Sequence, residues 1–217
     1  MIHEYIEKLR PFVLEYFKHD STGHDIGHLE RTLNTALYLC DKEGGDKVIV
    51  GISAFLHDVH RIMQTKEDKF IEPIDSLPVV RSILSNIDLT EEQVEKICYC
   101  IEHHEKYNWN GDNMSDINAL ILQDADNLDA TGAIAIVRAF RYGLANKMPD
   151  YDPQVPFYQN DYTESVNDKS TVHHLYNKSL RIGDYMHTET ARQIAKEKMA
   201  LIKDFIDLYV KEFNCDF

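Results

Sequence analysis

Apolar residues recur at intervals of three and four through most of the chain, and no run alternates with period two. The first such segment aligns Ile2, Tyr5, Ile6, Leu9, Phe12, Val13, Tyr16 and Phe17, with Pro11 predicting an interruption or kink. The turn formers His19 to Gly23 separate it from a second helix over about 26–43, which places Leu29, Leu33, Ala36, Leu37 and Cys40 on one face and stops at Gly44-Gly45. Asp46 then caps a third helix. Its run Val48 to Leu56 is apolar throughout, the mark of an element buried on all sides, and it ends on His57-Asp58. From Gln64 to Leu77 the pattern weakens, and Pro73 and Pro78 predict loops in a mobile stretch near a site. Helices are predicted again over about 78–86 and 91–105, the latter opened by Thr90 with Glu91, Glu92 and Gln93 in its first turn. After a polar turn at 108–116, Ile117 to about Ala145 forms one long helical stretch that breaks at Gly132. Pro149, Pro153 and Pro156 mark 146–169 as irregular, and helices over about 170–184 and 188–213 close the chain, with Ile194, Ile202, Phe205, Ile206, Tyr209 and Phe213 striping the last. The pattern predicts an all-α, single-domain helical bundle, its core at about 20–145 and its C-terminal helices at about 170–213 packed on that core.

Composition narrows the function classes. The 217 residues include 9 Gly and 6 Pro, too few for a loop-rich or disordered chain. With 23 Lys and Arg against 37 Asp and Glu the net charge is −14, which excludes a broad nucleic-acid-binding surface and disfavours an anionic membrane. Cys40, Cys98, Cys100 and Cys215 form no Cys-x-x-Cys pair and read as reduced core thiols. Met1-Ile2-His3-Glu4 lacks the basic region and apolar run of a signal peptide, and no stretch approaches the ~18 apolar residues of a membrane span. A soluble, cytoplasmic protein is expected. The 11 histidines are many for this length, and imidazole with carboxylate is a ligand set for divalent cations.

Histidine and carboxylate cluster on the helix map. His28 falls in the first turn of the second helix, His57-Asp58 ends the third, and Asp126 lies in the long helical stretch after Ile117. Three helices can aim these side chains at one point, as bundle metal sites do. Two imidazoles and two carboxylates leave coordination positions for water and substrate oxygens, a catalytic stoichiometry; a closed structural zinc site would use cysteines.

The segments Gly23-His24-Asp25-Ile26-Gly27-His28-Leu29-Glu30-Arg31, Phe55-Leu56-His57-Asp58-Val59 and Gln123-Asp124-Ala125-Asp126-Asn127-Leu128-Asp129-Ala130 resemble, in order and separation, the three motifs of the HD superfamily of metal-dependent phosphohydrolases. Thr171 to Lys178 and Thr188-Glu189-Thr190-Ala191 resemble the tail of its single-domain bacterial and archaeal subgroup, which includes a nucleotide pyrophosphohydrolase of Bacillus; the likeness covers about 20–210. The resemblance implies an HD-type bundle in which His28, His57, Asp58 and Asp126 bind the metal, with Asp58 also counted in the catalytic set. Mn²⁺ or Mg²⁺ suits the carboxylates, and the imidazoles equally admit Fe²⁺, Co²⁺ or Ni²⁺. Glu102-His103-His104-Glu105 resembles the double-histidine motif with which some relatives bind a second metal, but their other histidine has no clear counterpart between His60 and His103. One metal is therefore expected, with His103 or His104 as substrate contact or proton donor.

Other residues have two readings each. Asp129, one helical turn beyond Asp126, orients a ligand or caps a neighbouring helix. Asp25 and His24 order the loop before His28 through hydrogen bonds. Arg31 reaches a substrate phosphate or pairs with a carboxylate, and Lys178 offers a point charge to phosphate. His60-Arg61 lines the site mouth or lies in an exposed loop. His3, His19 and His187 are read as surface residues, and Tyr107 and Trp109 as packing at a helix end. The expected activity is hydrolysis of a small phosphorylated metabolite, a nucleotide, by pyrophosphohydrolysis or at a phosphomonoester. The rival is a metal-binding sensor or scaffold with a vestigial site. No nucleic-acid polymer and no membrane is expected as partner, and the chain is read as a monomer or homodimer.

Overall fold

The computed structural model describes residues 2–18, 23–105, 114–157 and 169–216, and every regular element among them is a helix. These residues fall into two compact units, one of 2–18, 24–105 and 114–126, the other of Gly23, 127–157 and 169–216.

In the first unit α1 (Ile2–Phe17), α2 (Ile26–Glu43), α3 (Lys47–Leu56), α4 (Val59–Glu67), α5 (Leu77–Leu84) and α6 (Glu91–His103) precede the greater part of α7 (Ile117–Asp129). The all-apolar sequence of α3 has the predicted consequence: Ile49 through Leu56 are each buried, and the helix packs against α1, α2 and α6. Each fully buried Ile, Leu or Phe side chain contributes about 1.5–3 kcal/mol. The helix that ends on His57-Asp58 is thus held from several sides. Local chemistry sets the boundaries. Asp46 Oδ1 accepts from the Val48 and Ile49 amides, and Thr90 and Gln93 cap α6 reciprocally. Gly44, at φ +87°, ends α2 with its amide bonded to the Cys40 carbonyl at 3.0 Å.

Three expectations are corrected here. Pro11 lies inside α1 without ending it. It occupies an exposed position, so the carbonyl four residues back, left without an amide donor, can turn to water. The stretch after Asp58 is not loop: α4 runs to Glu67, Asp68 at φ +50° terminates it, and a 3₁₀ turn at Pro73–Ser76 leads into α5. His60 is consequently buried, not displayed on an exposed loop. The third concerns the thiols. Cys40, Cys98 and Cys100 are buried, but Cys215, beyond the last helix, is exposed.

The second unit holds the end of α7, then α8 (Gly132–Ala145), α9 (Thr171–His174), α10 (Leu180–Ile182) and α11 (Glu189–Phe213). Gly132 opens α8 at φ +73°, where a Cβ would also stand 3.0 Å from the Lys198 side chain, so the long stretch divides here as its glycine predicts. The expected helix over 170–184 contains a π-helical turn at Leu175–Ser179 between α9 and α10. Ala135, Ala139, Val172, Leu175, Ile202 and Ile206 form this unit's core, with α8 against α11. Among the described residues no helix is long and apolar enough to cross a membrane.

Candidate metal centre

The start of α2, the end of α3 and the first-unit part of α7 build the centre. Asp25 is the N-cap of α2, and its Oδ1 accepts from the His28 amide at 3.0 Å, which fixes the turn that carries His28. His57 and Asp58 follow the last residue of α3. Asp126 comes from α7. His28 and His57 are fully buried and Asp58 nearly so, while the Asp126 side chain keeps 18% of its surface exposed.

The four side chains converge. His28 Nε2 lies 3.1 Å from His57 Nε2, 3.2 Å from Asp58 Oδ2 and 3.3 Å from Asp126 Oδ1. His57 Nε2 lies 3.5 Å from Asp58 Oδ2 and 3.7 Å from Asp126 Oδ1. Donors about 2.0–2.2 Å from one cation stand about 2.8–3.6 Å from each other in octahedral or tetrahedral arrangement. The observed spacings match that interval to within a tenth of an ångström. The tautomers agree with it. His57 Nδ1 donates to the Ala54 carbonyl at 2.8 Å, because a carbonyl can only accept, and this leaves Nε2 as the lone-pair nitrogen of the neutral ring. The donor set thus fits a divalent cation.

Electrostatics points the same way. Burial pushes Asp58 up, but His57 and His24 more than offset it and hold the carboxyl well below the usual range. Burial likewise opposes ionisation of Asp126, and hydrogen bonds from His28 and His57 override it. For His57, burial favours the neutral ring, yet Asp58 and Asp126 prevail and the net direction is upward. A place that draws a proton onto Nε2 between two carboxylates also draws a cation.

The remaining expected site residues separate by placement. His104 is buried with its ring 5.1 Å from that of His57, whereas His103 is half-buried and stacked on Tyr99 at 4.1 Å. Helical spacing puts His104 on the face of Ile97 and Ile101 and His103 with Lys96 and Cys100, and the burial of His104 agrees. Asp129 lies in the second unit and pairs with Arg138 at 2.7 Å. Arg31 is half-buried on α2, where its Nη1 and Asp25 Oδ1 each come within 3.1 Å of the position a Cβ on Gly27 would take. Lys178 belongs to the second unit, on the π-helical turn. His3 is exposed and His187 half-buried; His19, Tyr107 and Trp109 lie outside the described residues.

Three neighbours stand closer to the centre than their sequence readings put them. His24 Nδ1 lies 2.6 Å from Asp58 Oδ2, so this half-buried imidazole contacts the carboxylate directly instead of only ordering a loop. His60 and Glu105 stand beside His104. His60, two residues after Asp58, was the one available signal.

Comparison with known proteins gives the family. The family model for the HD domain matches residues 25–131. An HD-superfamily hydrolase of Bacillus thuringiensis is 30% identical, with 99% of both chains covered and a TM-score of 0.75. The Bacillus subtilis protein YpgQ is 28% identical over 202 residues, 92% of this chain and 89% of its own. The crystal structure of YpgQ in complex with ADP superposes with a TM-score of 0.73 at 26% identity, covering 95% of this chain and 96% of that one. The chain belongs to the HD superfamily of metal-dependent phosphohydrolases.

Proposed function

We propose that the chain hydrolyses a phosphoanhydride or phosphoester bond of a nucleotide, with His28, His57, Asp58 and Asp126 holding a divalent cation, Mn²⁺ or Mg²⁺. The observation that carries this reading is that two buried imidazole nitrogens lie 3.1 Å apart, each with one oxygen of Asp58 and one of Asp126 at 3.2–3.7 Å. The nucleotide half rests on similarity to YpgQ, whose structure contains ADP. A bound dication would polarise a phosphoryl oxygen and make water easier to deprotonate.

The protein's own groups prepare the site before any substrate arrives. Asp25 holds the turn of His28, and the Ala54 carbonyl holds the tautomer of His57. The burial of His28, His57 and Asp58 excludes bulk water from them, which strengthens each electrostatic interaction. The chain's net charge of −14 repels an anionic substrate, so attraction must be local. Arg31, on α2 of the same unit, is the side chain assigned to phosphate there, and the sequence reading of Lys178 as a phosphate contact is a separate proposal.

The test is a panel of nucleoside tri-, di- and monophosphates with Mn²⁺, in which pyrophosphate and phosphate release are scored separately. Release of pyrophosphate with a nucleoside monophosphate supports attack at the α-phosphorus, and release of phosphate from monophosphates supports the monoesterase. A protein that retains stoichiometric metal yet turns over no nucleotide overturns the substrate class. Arg31→Ala and Lys178→Ala are expected to raise KM without loss of metal, and unchanged kinetics remove either from the site.

A further inference from the structure

Asp58 opens α4 without capping it. Asp25 and Asp46 each accept from amides of the helix they open, whereas the Asp58 side chain makes no such bond, so its orientation is set from outside α4. The side chain is 3% exposed, and three imidazoles meet its one oxygen Oδ2: His24 Nδ1 at 2.6 Å, His28 Nε2 at 3.2 Å and His57 Nε2 at 3.5 Å.

The three approaches are of two kinds. Two donor atoms of one cation stand about 2.8 Å apart or more. His28 and His57 keep to that spacing from Oδ2, and His24 stands inside it. The contact of His24 is therefore a hydrogen bond to a charged acceptor, and because an ionised carboxylate can only accept, its Nδ1 carries the proton. A nitrogen that carries a proton has no lone pair for a metal. A carboxylate oxygen has enough lone pairs for both partners, one toward the cation and one toward the N–H.

The chain places His24 for this task. It stands just before Asp25, the N-cap of α2, and four positions before His28, with the two rings edge-to-face at 5.6 Å and 83°. The start of α2 thus brings two imidazoles to one carboxylate, one as hydrogen-bond donor and one as ligand. The bond runs from a half-buried ring to an oxygen that water scarcely reaches, where solvent screens it little.

We infer that His24 is a positioning residue of the metal centre: through Nδ1–H it holds Asp58 Oδ2 on the side of His28 and His57. In this role it touches neither cation nor substrate. The assignment rests on the reading of Asp58 as a ligand of the proposed cation.

The test is calorimetric titration of metal-free full-length protein with Mn²⁺. His24→Asn keeps an N–H donor as far from the backbone as Nδ1, His24→Gln moves the donor one carbon further out, and His24→Leu has none. The Kd for Mn²⁺ is expected to stay close to the wild-type value in His24→Asn and to rise about 10–100-fold in His24→Gln and His24→Leu. Far-UV circular dichroism checks each fold, and the order of Asn and Gln decides if the Leu variant fails to fold. A side chain that only filled space would rank the variants by size, with Gln nearest the wild type. That ranking, or wild-type affinity in His24→Leu, overturns the positioning role and leaves the cation standing. A wild-type chain that binds no Mn²⁺ overturns both.

Discussion

His28 Nε2 and His57 Nε2 face each other at 3.1 Å from the start of one helix and the end of another, with Asp58 and Asp126 oxygens alongside. Two imidazole nitrogens that close can share a proton or a cation, and the two ionised carboxylates beside them favour either. The Ala54 carbonyl, 2.8 Å from the other nitrogen of His57, keeps that ring from turning away.

Asp58→Ala removes an oxygen that touches His24, His28 and His57 at once. Metal retention after desalting, read by elemental analysis, is expected to fall more than about tenfold, since loss of even an outer partner of a ligand costs 10–100-fold. The helical circular dichroism signal should persist. Full retention would reject Asp58 as a ligand.

Asp25→Ala should separate positioning from binding. The N-cap bond to the His28 amide contributes about 1 kcal/mol to stability, and its loss also frees the turn that presents His28. Thr90→Ala is the control: it removes an equivalent cap at the far end of α6. Both variants should lose similar stability in denaturant titrations, and only Asp25→Ala should weaken Mn²⁺ binding.

Asp129 and Arg138 form a nearly buried pair at 2.7 Å, so removing either side chain takes a charge-assisted hydrogen bond from a site screened little by solvent. Each single Ala substitution is expected to cost about 3–5 kcal/mol, and the double variant less than the sum. Metal stoichiometry should not change. If Asp129→Ala lost metal at unchanged stability, the residue would be orienting a ligand.

Burial and the neighbouring His57 pull His104 down to about 4. In the unfolded chain a histidine titrates near 6.5. Between those values the unfolded state binds the proton and the folded state does not, so this contribution is complete above about pH 6.5 and is lost progressively as pH falls toward 4. Denaturant titrations of the metal-free protein should show a decline on the order of 3 kcal/mol across that window. His104→Gln should flatten it, and an unchanged slope would place the acid sensitivity elsewhere.

Much of the fold is written locally. The three-and-four spacing of apolar residues, the caps Asp46 and Thr90, and the left-handed Gly44 need only near neighbours to act, so α2, α3, α6 and α11 begin and end within a residue or two of where their patterns place them. The failures are local as well. Of the interruption or kink that Pro11 predicts, the interruption does not occur because its solvent exposure has no sequence signal, and α4 goes unpredicted because polar Arg61, Gln64 and Lys66 dilute its apolar face.

That His28, His57, Asp58 and Asp126 come together is legible in the sequence because motif order survives in the chain and because α3 is too apolar to lie anywhere but inside. That Asp129 meets Arg138, and that His60 and Glu105 meet beside Asp58, were beyond any local pattern. His60 and Glu105 are separated by 45 positions, and their 3.4 Å approach exists only because packing brings the start of α4 and the end of α6 to one place. Periodicity acts over a turn of helix; the side of a centre on which an imidazole stands is set by which helices exclude water together.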